Sequence, residues 1–302
     1  MTDYTRLSLH ITMTSTRYRG RFAPTPSGDL HFGSIIAALG SFLQARNQQG
    51  SWLVRIDDVD KTRARPGADT RILRQLENLG LHWDGDIMYQ SQRDRFYQSA
   101  LDSLDQKNLL YACQCSRKQV GQLPYPGTCR EAALEFSPWC ALRVKTNNAE
   151  ITITDKLQGN ISSQLQHDIG DFIVRRADDL FAYHLAVVVD DAELEVTEVV
   201  RGADLLDTTA AQVYLQQLLH FDTPHYLHLP VALDQQGKKL SKSGQAVAVT
   251  GQPAQVLIIK ALSFLGQVLP DHVHDADRDE LLAWAIEHWD TSLIPRRTAI
   301  TL

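Results

Sequence analysis

The sequence predicts an α/β fold with a parallel sheet, split by an α+β insertion and followed by a short helical C-terminal part. Three observations predict it: strand-to-helix units open the chain, the pattern changes between about Gln106 and Asp179, and strand-to-helix units return beyond Leu180. The implied segments are an N-terminal extension (1–17), a first half of the α/β domain (18–105), an inserted subdomain (106–179), a second half (180–244) and a helical C-terminal domain (245–302).

The first unit runs from Tyr18 to Gly50, where an Arg-Phe-Ala stretch meets Pro24, Pro26 and Gly28 before an apolar helical run from Ser34 to Ala45. Prolines fix φ in this turn, Gly28 supplies conformational freedom, and Gly33 opens the helix where a missing side chain lets a ligand approach the backbone. A helix start is also a natural anion site. The second strand, Ser51 to Ile56, ends in Asp57, Asp58 and Asp60, carboxylates placed where ligands bind in open α/β sheets. A helix follows from Asp69 to Leu79.

In the insertion, a cysteine cluster precedes alternating segments at Ala141–Thr146 and Ile151–Thr154, the pattern of half-buried strands. The α/β pattern resumes at Leu180–Asp190 and Glu198–Arg201, then passes into an amphipathic helix from Thr208 to His220. Beyond Pro230 lies a Gly- and Lys-rich loop, Gln235 to Gly244, and then helical sequence with apolar stripes at Pro253–Phe264 and Glu280–Trp289.

A chain of 302 residues with 43% hydrophobic and 22% charged residues is ordinary for a globular protein, which excludes fibrous and disordered classes. Apolar runs such as Leu185–Val189 fall far short of the roughly 20 residues of a membrane span, and no basic-then-apolar leader opens the chain. A cytoplasmic monomer with no membrane partner is the expectation. The net charge of −6 argues against indiscriminate coating of nucleic acid but allows a local basic face. Four cysteines in one window, Cys113, Cys115, Cys129 and Cys140, suggest metal more than disulfides.

Two motifs carry chemistry: Pro24-Thr25-Pro26-Ser27-Gly28-Asp29-Leu30-His31-Phe32-Gly33 and Lys239-Leu240-Ser241-Lys242-Ser243. Alone, each reads as loop chemistry. Together, in this order and on either side of an insertion, they resemble the HIGH and KMSKS motifs of class I aminoacyl-tRNA synthetases, which implies a Rossmann-type catalytic domain. In such a domain the carboxylate of an amino acid attacks the α-phosphorus of ATP, and catalysis is chiefly positioning and charge neutralisation. The resemblance implies His31, Gly33 and Lys242 as catalytic residues. It also implies Pro24, Ser27, Gly28, His31, Gly33, Lys239, Ser241 and Lys242 around ATP, which arrives with Mg²⁺.

Arg21-Phe22-Ala23-Pro24, Arg55-Ile56-Asp57-Asp58, Tyr183-His184-Leu185-Ala186 and Val200-Arg201-Gly202-Ala203-Asp204 resemble the glutamate branch of that class. Glutamate carries two carboxylates and an ammonium, and the residues that match are Arg21 and Arg201 for the acids, Asp57 for the amine and Tyr183 for the pocket wall. Phe22, Ala23 and Thr25 complete the implied glutamate site. The branch usually has Glu where this chain has Asp57, a carboxylate one methylene shorter, so that Asp58 or a water is a candidate to share the contact.

For the cysteines, Cys113, Cys115 and Cys129 give three thiolates for a tetrahedral zinc, and the fourth ligand is open between Tyr125 and Cys140. Ligand chemistry alone favours Cys140. The resembling family uses Cys-x-Cys, Tyr and Cys, which implies Tyr125 as the fourth ligand of a structural Zn²⁺.

Only 58 residues follow Gly244, too few for the helical domain with which glutamyl-tRNA synthetases read the anticodon. A compact chain of this length has a radius of gyration of about 19 Å, too small to touch both ends of one tRNA. The nearest resemblance is to the glutamyl-queuosine tRNA(Asp) synthetases, which lack that domain. It implies transfer of L-glutamate to the queuosine base of the tRNA(Asp) anticodon stem-loop. Arg117, Lys118, Arg296 and Arg297 are candidates to hold the stem-loop. The alternatives are a truncated synthetase charging the tRNA 3′ end and a non-catalytic zinc-containing RNA-binding paralogue.

Overall fold

A computed structural model of the chain describes residues 17–121, 124–239, 251–273 and 275–302. The first half contains β1 (Arg19–Phe22), α1 (Phe32–Asn47), β2 (Ser51–Ile56), α2 (Ala68–Asn78), β3 (Met88–Tyr89) and α3 (Asp94–Gln106). Next come β4 (Leu110–Cys113), α4 (Arg117–Val120), β5 (Ala141–Val144), β6 (Glu150–Asp155), β7 (Gly159–Gln164) and β8 (Phe172–Arg175). The chain returns through α5 (Tyr183–Glu193), β9 (Glu198–Gly202), α6 (Thr209–Leu219), β10 (His225–Leu229) and β11 (Val231–Leu233). It ends with α7 (Ala254–Phe264), α8 (Arg278–Glu287) and β12 (Ala299–Thr301).

Strands β1, β2 and β3 form one parallel ladder, and β9 pairs parallel with β10. The two ladders meet at β1 and β9, where the N–H of Thr197 donates to the Arg19 carbonyl at 3.0 Å and the N–H of Arg19 to Thr197 Oγ1 at 2.9 Å. Strand order therefore runs outward in both directions from this seam. The crevice above its C-terminal ends is the switch point at which open α/β sheets bind ligands.

Helix α1 lies under the seam and is buried along most of its length, from Phe32 through Ile35, Leu39 and Leu43. Such a helix carries little amphipathic signal, because every side meets apolar partners. Trp52 on β2 stacks on Phe22, meets the edge of Phe42 and donates its indole N–H to Ser41 at 3.0 Å. Gln44 of α1 donates to Glu198 on β9 at 2.9 Å and accepts from Trp289 Nε1 at 2.8 Å. Helices α7 and α8 share the α1 core, and β12 pairs parallel with β11.

Between the halves, β4, β5 and β8 build a separate antiparallel sheet. The hairpin β6–β7 does something else: β6 lies parallel beside β10, in register at Tyr226 and Asp155, and extends the main sheet. Residues the sequence places in the insertion are thus shared between two sheets. Among the described residues, no helix is long and apolar enough to cross a membrane.

Gly170 closes the turn before β8 at φ 67°, and a Cβ there would stand 2.7 Å from the Tyr125 nitrogen and 2.9 Å from its oxygen. Neither backbone atom can rotate away. Gly170→Ala is expected to lower stability by about 1–3 kcal/mol, measured as a drop in the urea midpoint. An unchanged midpoint would show that the Tyr125 backbone moves freely.

Candidate active site

Each functional side chain is set by where its element ends. β1 stops at Phe22 because Pro24 has no N–H to donate, and the turn that follows is pinned from two sides. The N–H of Asp57 donates to the Pro24 carbonyl at 3.0 Å and that of Arg65 to the Pro26 carbonyl at 2.8 Å. Gly28 sits at φ 140°, a backbone that side-chain-bearing residues rarely adopt. His31 then caps α1, its Nδ1 accepting from the N–H of Ser34 at 3.2 Å. That bond leaves the proton of a neutral ring on Nε2, so the ring is a donor there.

Above the seam opens a cavity of about 500 Å³. From the first half it is lined by Arg21, Phe22, Ala23, Pro24, Thr25, Ser27, His31, Gly33 and Asp57. The second half supplies Tyr183, Arg201 and Lys239. Of the residues expected around ATP and glutamate, Gly28 is the one among the described set that does not line it; it shapes the turn instead. Ser241 and Lys242 lie outside the described residues. Asp58, the candidate to assist Asp57, accepts from the Ser91 N–H at 2.8 Å and its hydroxyl at 2.7 Å. Its carboxylate is committed to Ser91.

A buried ion network lies beneath the floor. Arg21 donates Nε and Nη2 to Asp191 at 3.2 and 3.3 Å, leaving Nη1 for a ligand. Arg55, wholly buried, donates to Asp57 at 2.6 and 3.3 Å and to Asp191 at 2.6 Å. Asp190 accepts from Gln90, Arg93 and Tyr97 at 2.7, 2.6 and 2.9 Å. Burial opposes ionisation of Asp57 and Asp191, the two carboxyls hydrogen-bonded to Arg55, but the outcomes differ. Two guanidiniums, Arg21 and Arg55, hold Asp191 below the usual carboxylate range, whereas burial pushes Asp57, with one partner, up to about 6.

Arg201 is anchored differently. Its Nε donates to His228 Nε2 at 3.0 Å and its Nη2 to Thr209 Oγ1 at 2.9 Å. Lys239 is ion-paired with Asp204 at the mouth of the cavity. Motif reading includes Arg55 without giving it a role, and passes over Asp190, Asp191 and His228. Two consecutive acids closing the apolar run Leu185–Val189 were the available signal for the aspartates, since a buried pair of carboxylates demands cations.

In the insertion, the sulfurs of Cys113, Cys115 and Cys129 lie within 4.8 Å of one another. The Tyr125 hydroxyl is 3.4 Å from both Cys113 and Cys115, and accepts from the Cys129 N–H at 3.0 Å. Gly170 seats the Tyr125 backbone, and the Arg143 guanidinium lies 3.7 Å from the ring centroid. Cys140 is held apart by Ser137 at 3.2 Å and Gln114 at 3.4 Å. Ligands of a tetrahedral zinc stand about 3.8 Å apart when the metal–sulfur distance is about 2.3 Å, so three thiols and a phenol at these separations fit such an ion. Of the basic residues expected to hold RNA, Lys118, Arg296 and Arg297 are exposed; the Arg117 side chain lies outside what the structure describes.

A seam crevice lined by guanidiniums, beside a helix start capped by histidine, is the arrangement that a class I aminoacyl-tRNA synthetase calls for, and comparison with known proteins places the chain in that class. The model for tRNA synthetases class I (E and Q), catalytic domain, matches residues 17–124 and 130–256. The glutamyl-Q tRNA(Asp) synthetase of Dechloromonas aromatica (strain RCB) is 48% identical over 295 residues, covering 94% of this chain and 98% of that protein. That of Escherichia coli (strain K12 / MC4100 / BW2952) is 47% identical over 291 residues, with 95% and 94% covered. The chain belongs to the glutamyl-Q tRNA(Asp) synthetase family within this class. A solved glutamate tRNA ligase from Elizabethkingia meningosepticum CCUG26117 shares the fold, with a TM-score of 0.78 at 24% identity. The match covers 93% of this chain, which spans 66% of the length of that one.

Asp191→Asn would strip the shared counter-charge from Arg21 and Arg55 together. It is expected to destabilise the fold by about 3–5 kcal/mol, read by chemical denaturation; a loss below about 1 kcal/mol would mean that the two guanidiniums are neutralised elsewhere.

Proposed function

We propose that the chain activates L-glutamate with ATP as glutamyl adenylate and transfers the glutamyl group to the queuosine base at the wobble position of tRNA(Asp). The observation that carries this reading is a cavity lined together by Arg21, Arg201 and Asp57 beside the His31-capped start of α1. Two guanidiniums suit the two carboxylates of glutamate, and one carboxylate suits its ammonium. A glutamate oxygen attacks the α-phosphorus, the bond to the bridging oxygen breaks, and pyrophosphate leaves. The α1 N-terminus and His31 Nε2–H offer donors to the phosphate oxygens, with Lys239 adding charge at the mouth. Ser241 and Lys242 join them in this reading from sequence, and Mg²⁺ enters with ATP.

In the second step a hydroxyl of the queuosine cyclopentene diol attacks the adenylate carbonyl carbon, AMP leaves with the bond electrons, and the hydroxyl proton is lost. A diol stands where a synthetase charging the tRNA end would present a ribose, so the same activated ester serves. Basic surface at Lys118, Arg296 and Arg297 is available to phosphates of an anticodon stem-loop, with phosphate contacts positioning and pocket contacts specifying.

The insertion, in the same reading, holds one structural Zn²⁺ through Cys113, Cys115, Cys129 and Tyr125. Tyr125 is supported over Cys140 by its hydroxyl, which stands 3.4 Å from two of the three thiols. When bound, the ion clamps the loop between β4 and β5; it takes no part in the chemistry at the cavity.

Two experiments test the proposal. ATP, labelled glutamate and tRNA with or without queuosine are incubated, the tRNA is digested, and the label is located by mass spectrometry. Label on the queuosine nucleoside is expected; label on the terminal adenosine would make the acceptor the tRNA 3′ end. For the metal, the zinc content of Cys140→Ser is expected to stay near that of the unmodified chain while Cys129→Ser loses it. Zinc lost from Cys140→Ser would overturn the choice of Tyr125.

A further inference from the structure

Arg201 is a long side chain, yet it is 5% exposed and its hydrogen bonds are spent on one edge. Nε is given to His228 and Nη2 to Thr209, while Nη1 is buried without a partner in a side chain that lines the cavity. A buried guanidinium nitrogen left unsatisfied is expensive unless something arrives to satisfy it. The atoms that hold Arg201 therefore decide where that nitrogen points.

We propose that His228, fixed in one tautomer by Asp155, is a positioning residue that aims Arg201 at a carboxylate of the amino-acid substrate. The proposal rests on the glutamate reading of the cavity.

The argument begins with Asp155, at the end of β6. It is 2% exposed and accepts from the backbone N–H groups of Leu157, Gln158 and His228 at 3.0, 2.8 and 3.1 Å. Burial raises its pKa, but these bonds and the contact with His228 lower it further, so the group is an ionised, acceptor-only carboxylate. His228 Nδ1 lies 2.6 Å from it, and so must carry the proton. In the neutral ring Nε2 is then a bare acceptor, which is what the Nε–H of Arg201 needs. Burial, together with the nearby guanidiniums of Arg201 and Arg21, keeps the ring below its ordinary pKa and therefore neutral, against the pull of Asp155.

A neutral acceptor has a further effect on charge. Arg21 is held by a carboxylate, Asp191, which offsets part of its positive charge. Arg201 is held by an uncharged ring, with the carboxylate of Asp155 set one imidazole further away. Its charge stays directed at the cavity, where a substrate carboxylate meets little competition. Tyr226 stacks on the His228 ring at 5.9 Å between centroids and 11° between planes, which restrains the plane in which Nε2 points.

The test is ATP–pyrophosphate exchange on the full chain, with and without tRNA. Glutamate-dependent exchange by the unmodified chain is the starting point; its absence would sink the activation reading itself, separately from any role of His228. His228→Asn can still donate to Asp155 but places no acceptor at the Nε2 position, whereas His228→Gln can put its amide oxygen there. In H228N the KM for glutamate is expected to rise at least about tenfold with the KM for ATP within about twofold of the unmodified value, and H228Q to return to within about threefold. A glutamate KM unmoved in H228N, a parallel rise for ATP, or H228Q as impaired as H228N would overturn the proposal. A second measurement needs no variant to fold: ¹⁵N NMR of the imidazoles at pH 7 is expected to show the His228 proton on Nδ1 and Nε2 bare, and a proton on Nε2 would overturn it.

Discussion

The buried chain of charges Arg21–Asp191–Arg55–Asp57 is the interaction on which the rest of the site depends. It draws one member from β1, two from β2 and its end, and one from α5, so it joins the two halves of the α/β domain beneath the cavity floor. Charges removed from water are stable only as a set. Because Asp191 bridges Arg21 to Arg55 and Arg55 bridges Asp191 to Asp57, loss of either central member strands the charge at one end of the chain. This gives the floor one geometry and leaves only the outward Nη1 of Arg21 and the less firmly ionised Asp57 to meet a ligand.

For the second guanidinium of the cavity, Arg201 on β9, the solution is chemically different. Arg201 is braced by an imidazole and a hydroxyl rather than by acids, and its charge is less offset. The cavity thus presents two guanidiniums of unequal strength, from β1 and from β9, to a single α-amino dicarboxylate. A site of this kind discriminates by charge placement as much as by shape.

Much of the fold was legible in the sequence because the relevant signals are local. β2 spans Ser51–Ile56, as its apolar run and following acids imply, and α1 and α7 begin near the Pro/Gly turns that announce them. The segment from Leu180 to Asp190 gave an α/β pattern without a definite element, since Leu185 to Val189 is buried on all sides of α5 and hides its helical period. The place of β6 beside β10 was not legible at all. It depends on pairing between residues some seventy positions apart, with Tyr226 opposite Asp155 and the Lys156 N–H donating to the Tyr226 carbonyl. The cavity lining followed from motif residues, whereas Asp191, His228 and Asp155 did not, because each acts by holding another side chain and leaves no mark in spacing. For the thiol cluster, the preference of zinc for sulfur points to Cys140, whereas in the structure Ser137 and Gln114 hold that thiol and the Tyr125 hydroxyl stands 3.4 Å from Cys113 and Cys115, a placement that rests on contacts no spacing reveals.

The hairpin β6–β7 means that the stretch between the two halves is not an interchangeable cassette. Its β4–β5–β8 sheet shares a core with α3, α5 and α6, and it is the thiol cluster that packs separately and is free to diverge. The hairpin stem is bound to the main sheet by strand polarity, and to the substrate wall by Asp155. A chimaera that exchanged residues 106–179 with those of a relative would have to bring a strand of the same direction and an acid at the same register, or lose the brace behind Arg201. Divergence toward a new acceptor is therefore open at one end of this stretch and closed at the other.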